Sequence, residues 1–457
     1  VIRRAARAAL ALLLCLAAAE ATVRAAAHRV PGVRQLATPA GTRVHDPADF
    51  AGFRRAYADH LIPHREWRGS RCNALGFHDD DPAPDFPDDG FRVVALGDSF
   101  TFGSVPYPQT GIGVAEALLG YARARRASDA PPPPPFAIEN LGVPASGIAD
   151  YRLVHDFVGR GLRPDLVLVQ LYLGNDPIDY ADESRFGPAR ATWQRSWLLT
   201  FARRAAAVLR ERWRDGGGRV VDVAGGGDAG RSSGTAAADP VAHGTRPTWR
   251  DDHPVLARPA FSDEAFAGIL QTELHVLAKP GSNPDAPDWD AFDAALGGLL
   301  DAIAADGTPV ALVLAPSRLQ VHPDELRATA ARSGVAPEAL DADLPNRRVA
   351  ELAARRGVPV IDTTAALRRA AASGERLYLP NDTHRNVRGN AVAGAELALA
   401  LARLALVPTG GTLPTIRDSR SSRSTTCVRP SPSLRACASA SKVPRCLAHE
   451  AGPRRPT

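Results

Sequence analysis

Methionine is absent from the 457 residues and cysteine is scarce, with five in all. Cys427, Cys437 and Cys446 fall near the C-terminal end and only Cys15 and Cys72 lie elsewhere. No disulfide framework is implied, and the spacings match no zinc pattern. The abundance of Ala, Arg, Gly and Pro reads as the codon bias of a GC-rich gene and says nothing of function. A surplus of positive charge is also lacking where it would matter. The formal total is +5, but Pro408 to Thr457 holds nine Lys/Arg against two Asp/Glu, a surplus of +7 that leaves −2 for everything before it. The basicity belongs to the tail, which argues against nucleic-acid binding by the main domain. Long apolar runs are missing as well. The uncharged stretch from Ala8 to Ala19 is twelve residues, short of the about 20 that a spanning helix needs. With Arg3, Arg4 and Arg7 before it and Glu20 closing it, this stretch has the layout of an export signal occupying residues 1–28. Ala17–Ala19 and Ala19–Ala21 are small-x-small cleavage sites, and an uncleaved membrane anchor running to Ala27 is the alternative reading.

Residues 29–90 show no strong periodicity and read as a lead-in. His60 and His64 have helical spacing, but Pro63 stands between them and no third ligand is near, so they read as surface histidines. The aspartates at 79, 80, 81, 85, 88 and 89 lack the glycine and terminal glutamate of a calcium loop and read as solvated. At 91–103 the chain becomes informative with FRVVALGDSFTFG. Val93 to Leu96 form an apolar run that stops at Gly97, the pattern of a buried parallel strand, so Ser99 is expected just past a strand's C-terminal end. Ligands bind at that edge in open α/β sheets. A helix follows over Ile112–Arg126, then a strand at Phe136–Leu141 ending in Gly142 and the turn-like Pro144-Ala145-Ser146-Gly147. Leu166–Leu173 is the most strand-like run and closes on Gly174-Asn175-Asp176. A helix at Trp289–Ala305, a strand at Val310–Leu314, a helix at Leu344–Arg356, a strand at Val358–Ile361 and a closing helix from Val387 to Leu406 continue the β-α-β rhythm. The segment from about 180 to 285 reads as an irregular insertion. Within it, RVVDVAGGGDAG at 219–230 matches a dinucleotide-binding pattern literally, but loop composition follows where the fingerprint needs a helix. Residues 407–457, rich in Ser, Arg and Pro, read as a disordered tail.

Asp382 and His384 are two apart, so in an extended loop both point to one side. A carboxylate beside an imidazole supplies the orienter and base that a serine nucleophile needs. Asp98 and Asp176 read as turn-stabilising, and Asn386 as the N-cap of the last helix.

Four blocks, Gly97-Asp98-Ser99-Phe100, Asn140-Leu141-Gly142 with Gly147, Gly174-Asn175-Asp176 and Asp382-Thr383-His384, together resemble the SGNH/GDSL hydrolase superfamily over residues 91–406. The resemblance implies an α/β fold, a three-layer α/β/α sandwich with a doubly wound, flavodoxin-like parallel sheet. It implies Ser99 as nucleophile, His384 as base and Asp382 as its partner. The oxyanion hole would be the Ser99 backbone N–H, the Gly147 backbone N–H with Ala145 as alternative, and the Asn175 side-chain amide. The short Asp-to-His step resembles the exported bacterial branch that adds or removes O-acetyl groups on polysaccharides. The expected activity is hydrolysis of small acyl esters on carbohydrate or cell-envelope glycan, with O-acyl transfer and non-catalytic glycan binding as alternatives, no metal or organic cofactor, no nucleic acid, and a periplasmic or extracellular location.

Overall fold

The computed structural model describes residues 2–27, 29–30, 33, 50–58, 60–83, 85–124, 134–178, 196–202, 205–206, 248–283 and 285–408. A short antiparallel pair, β1 (Glu66–Trp67) and β2 (Ser70–Arg71), precedes the main sheet. That sheet consists of β3 (Phe91–Gly97), β4 (Phe136–Gly142), β5 (Leu166–Tyr172), β6 (Val310–Ala315) and β7 (Val360–Asp362). All its pairings are parallel, in the order β4-β3-β5-β6-β7. The order reverses between β3 and β5, which opens a crevice at their C-terminal ends.

Side chains alternate across each strand and fill two separate cores. Val94, Leu96, Val167, Val169, Leu312 and Leu314 face the helices Ile148–Val154, Trp289–Ala305 and Leu344–Arg356. Val93, Ala95, Leu168, Ala311 and Val313 face the helices Gly111–Ala124 and Val387–Arg403 on the opposite side. The result is a three-layer α/β/α sandwich with a doubly wound parallel sheet, as the strand rhythm and the resemblance implied.

Three stretches differ from the sequence reading. The lead-in is part of the core: Phe53, Tyr57, Leu61 and Phe77 are at most 5% exposed and pack in the cluster beneath the sheet. Their spacing follows no single period, which is why the sequence gives no signal there. From 248 to 285 the supposed irregular insertion contains a helix, Asp263–Val276, capped by Ser262 and packed through Phe266, Leu270 and Leu274 on Leu319 and Ala330. Val407 is buried with the last helix, so the fold runs slightly past Leu406. The dinucleotide-like stretch at 219–230 and residues 409–457 lie outside the described residues.

At the other end, the charged and apolar stretch at the start of the chain forms one helix, Ile2–Ala27. Glu20 on it caps the segment from Ser196, accepting from Trp197 N at 3.0 Å and Leu198 N at 2.9 Å. No helix among the described residues is long and apolar enough to cross a membrane.

Phe53 touches Tyr57 and Phe157 with ring centroids 4.9 and 5.6 Å apart. Phe53→Ala is therefore expected to lower unfolding free energy by about 3 to 5 kcal/mol, the cost of emptying a buried aromatic site. Chemical denaturation checks this. A loss well under 1 kcal/mol would mean that the segment 50–61 is peripheral to the fold.

Candidate active site

The site begins where two strands end in glycine. Gly97 and Gly142 lie opposite each other in the β3–β4 register. The helix Ser99–Phe102 crosses directly over them: a Cβ on Gly97 would stand 2.1 Å from Thr101 Oγ1, and one on Gly142 2.3 Å from Phe102 N. Only side-chain-free positions let the turn lie so close to the sheet. Asp98, 1% exposed, caps this helix by accepting from Phe100 N at 2.9 Å. Asn140 ties β4 to the same turn, donating to Thr101 O at 2.8 Å and accepting from Gly142 N at 3.0 Å.

His384 and Asp382 lie on the loop before the last helix. That loop is closed by Leu379 N to His384 O at 3.0 Å and by Asn386 N to Leu377 O at 3.0 Å. Asn386 also caps the helix, accepting from Gly389 N at 2.8 Å. Asp382 Oδ1 accepts from the backbone N of His384 at 3.0 Å and lies 2.6 Å from its ring Nδ1. The carboxylate thus places the ring proton on Nδ1 and leaves Nε2 as the acceptor, 2.7 Å from Ser99 Oγ. Arg318 braces the loop from the far side, reaching Leu379 O at 3.2 Å and Asp382 O at 3.4 Å.

The electrostatics follow from burial and charge. Burial alone would lower the His384 pKa, but the Asp382 charge and hydrogen bond, with Asp98 farther off, raise it above the ordinary 6.5. Burial would raise Asp382, but the imidazole's charge, its two hydrogen bonds and Arg68 hold it below the usual carboxylate range. Asp98 is pushed up to about 6 by burial, against the Phe100 N–H, His384 and Arg385.

The remaining expected positions divide. Asn175 sits in the turn after β5, where Asp176 N bonds Tyr172 O at 3.0 Å and Asp176 accepts from Tyr172 N at 2.8 Å and Tyr151 Oη at 2.9 Å. The Asn175 side chain is half-buried, and its Oδ1 is enclosed without a hydrogen-bond partner. Gly147 requires a correction. Its N–H donates to Asp150 Oδ2 at 2.9 Å, and Tyr57 holds the other oxygen of that carboxylate, so the N–H is already committed to starting the next helix. Ala145 is the residue that takes the left-handed conformation, at φ 56°, on an exposed turn. Neither the Ala145 N–H nor the Ser99 N–H bonds any group among the described residues.

Three neighbours of Ser99 and His384 have no role in the sequence reading: Phe100, whose ring stacks under His384 at 4.9 Å; Tyr172; and Glu273. Glu273 lies on the helix whose i, i+4 apolar spacing of Phe266, Leu270 and Leu274 was the available signal. Among the described residues, no group of three or more His, Cys, Asp or Glu side chains is arranged to hold a metal ion.

Residues 276–417 match the family model described as the SGNH hydrolase-like domain of acetyltransferase AlgX. The match covers less than half of the chain; it takes in Asp382 and His384 and leaves Ser99 outside. Over these residues the chain is similar to an SGNH hydrolase-like domain. No curated protein matches the chain. Among solved structures, this chain is similar to the acetyl xylan esterase AlAXEase, with 13% identity over 68% of this chain and 100% of that one and a TM-score of 0.35. It is also similar to Axe2, an acetylxylan esterase from Geobacillus stearothermophilus, with 12% identity over 70% and 95% of the two chains and a TM-score of 0.33. A G-D-S-L family lipolytic protein from Veillonella parvula gives 11% identity, 68% and 99% coverage and a TM-score of 0.32.

The raised imidazole pKa has a signed consequence. The interaction stabilises the fold fully below the unfolded histidine pKa and is lost as pH rises through the higher folded value. In an NMR titration, His384 should titrate above the ordinary 6.5 in the folded protein, and Asp382→Asn should move it down by removing the neighbouring charge. An unmoved titration in that variant would show that the carboxylate is not the cause.

Proposed function

We propose that this protein is a serine esterase acting on small acyl esters, acetyl above all, carried by carbohydrate or cell-envelope glycan. The observation that carries the reading is the 2.7 Å contact of His384 Nε2 with Ser99 Oγ, made by an imidazole whose other nitrogen is 2.6 Å from Asp382. In this reading Ser99 Oγ attacks the ester carbonyl carbon while His384 Nε2 takes the hydroxyl proton, and Asp382 stabilises the imidazolium. The tetrahedral intermediate collapses as the proton passes to the leaving sugar oxygen, which leaves an acyl-Ser99. Water, deprotonated by His384, then releases the acid and restores the hydroxyl. The oxyanion would be held by the Ser99 N–H, the Ala145 N–H and the Asn175 amide. The half-buried position of Asn175 in the turn after β5 places it at the strand end where Ser99 also lies, which supports this role for its Nδ2–H donor.

A second reading, O-acyl transfer, is favoured by the match to an acetyltransferase family model. It uses the same residues, with a sugar hydroxyl in place of water at the second step. The arginine-led N-terminal stretch supports export to the periplasm or beyond.

The protein is expected to hydrolyse p-nitrophenyl acetate, and Ser99→Ala to abolish turnover while leaving the melting temperature unchanged. Turnover by that variant at the parental rate would remove Ser99 from the mechanism. Adding an acetylated polysaccharide donor and a sugar acceptor separates the two readings, because an acyltransferase converts the acceptor faster than it releases acetate. For Asn175→Ala the expected loss is about 10²- to 10³-fold in kcat with KM little changed, since a donor to the oxyanion acts only in the transition state. An unchanged kcat with a lowered melting point would make Asn175 a turn residue.

A further inference from the structure

Glu273 is 3% exposed, on the helix that returns from the least regular part of the chain. Its Oε1 accepts a hydrogen bond from the Tyr172 hydroxyl, and its Oε2 is enclosed with no partner. Arg318, the cation in electrostatic reach, is paired instead with Glu325 and with the carbonyls of the triad loop. A carboxyl group buried in this way costs stability that an apolar side chain of the same size would not. Its presence needs another reason.

That reason lies in what Tyr172 touches. Its ring stacks face to face on Phe100, centroids 3.7 Å apart and planes 14° from parallel. Phe100 follows Ser99 in the chain, and its ring stacks in turn on the His384 imidazole at 4.9 Å and 27°. The same phenol lies over Gly174, where a Cβ would stand 2.4 Å from Tyr172 Cζ and 2.5 Å from its oxygen. Gly174 precedes Asn175. One aromatic side chain therefore meets the residue after Ser99, supports the stack under the base and sets the height of the Asn175 turn, and Glu273 fixes its free end.

We propose that Tyr172 and Glu273 form a positioning pair beneath the site, which holds the His384 imidazole and the Gly174–Asn175 turn in one geometry and couples Glu273 ionisation to that of His384. The proposal rests on the reading of Ser99 and His384 as nucleophile and base. Besides Tyr172 from β5, the groups in electrostatic reach of Glu273 are Arg318 from the helix after β6, Tyr378 from the segment before the triad loop, and Asp382 and His384 from the loop itself. Burial raises Glu273 to about 7, against the Tyr172 hydrogen bond and the Arg318 and His384 charges. Each group's charge then bears on the other's proton by the same amount.

Glu273→Gln keeps the shape and the acceptor for Tyr172 but cannot ionise. In an NMR titration of the full chain, His384 in this variant is expected to titrate lower than in the parent, because a negative charge that favours imidazolium is gone. An identical titration overturns the coupling, and this readout needs no ester turnover. In kinetics, Tyr172→Phe removes the hydroxyl that anchors the stack and should lower kcat about tenfold with KM within about twofold, whereas Glu273→Gln keeps at least about half of the parental kcat. An unchanged kcat in Tyr172→Phe, or equal losses in both variants that track their melting temperatures, would reduce the pair to ordinary packing. A parent inactive on every ester would instead count against the esterase reading, and the titration alone would then decide the pair.

Discussion

The contact between Ser99 Oγ and His384 Nε2 joins residues 285 positions apart in the chain, and nearly every feature of the sheet edge serves to bring them within 2.7 Å. Neither residue sits on a long, rigid element. Ser99 opens a four-residue helix, and His384 rides on a loop. Their precision is borrowed. On one side the nucleophile turn rests on two glycines facing each other across β3 and β4, whose missing side chains let the backbone settle against the sheet. On the other, the triad loop is pinned by its own cross-bonds, by the Arg318 guanidinium behind it and by the Asn386 cap ahead of it. A hydrogen bond of this kind contributes little net stability, so it cannot organise its surroundings; the surroundings must organise it.

Charge is arranged with the same economy. Asp382 is 4% exposed and Asp98 1% exposed, yet they lie in different electrostatic states. Asp382 is held ionised by the imidazole and by hydrogen bonds, whereas burial moves Asp98 up to about 6. Only the first touches the ring. The second uses its oxygen to accept from the Phe100 N–H, which fixes the turn that presents the hydroxyl. Two aspartates within one site thus divide the work by environment, one orienting the His384 imidazole and the other the backbone turn at Ser99.

What was legible in the sequence was whatever burial on both faces makes continuous. Val93–Leu96 and Leu166–Leu173 could be read as strands because parallel strands covered by helices tolerate no polar alternation. Asp382 and His384 could be paired because two-residue spacing in extended chain fixes their common side. Which backbone N–H of the 144–147 turn is left uncommitted was not legible. Residue type selects Gly147 as the permissive position, but the structure gives the left-handed turn to Ala145 and commits the Gly147 N–H to Asp150. A backbone donor's availability depends on what else its N–H does, and no side-chain pattern records that. Glu273 was missed for a related reason: a single carboxyl on an amphipathic helix looks solvated until the fold turns it inward. The lead-in was missed because Phe53, Tyr57, Leu61 and Phe77 anchor it at irregular intervals.

Two described stretches without periodic sequence pattern, 66–71 and 248–261, wall the site. The β1–β2 turn packs against Trp249, which a Cβ on Gly69 would approach to 2.7 Å, and Trp67 Nε1 donates to Gly103 O at 2.9 Å just past the nucleophile helix. From the returning segment, Asp251 accepts from Val387 N at 2.8 Å, Ala260 N reaches Pro380 O at 3.2 Å, and Asn381 binds Phe261 O at 3.2 Å. These last three bonds fasten the returning segment to the two ends of the loop that carries Asp382 and His384. The same wall brings Arg68, half-buried, into electrostatic reach of Asp382 and His384. A parallel sheet edge by itself is open to water from above. On the function proposed above, an acyl-serine there would meet water or a sugar hydroxyl according to which of them the wall admits, because His384 would serve both nucleophiles alike.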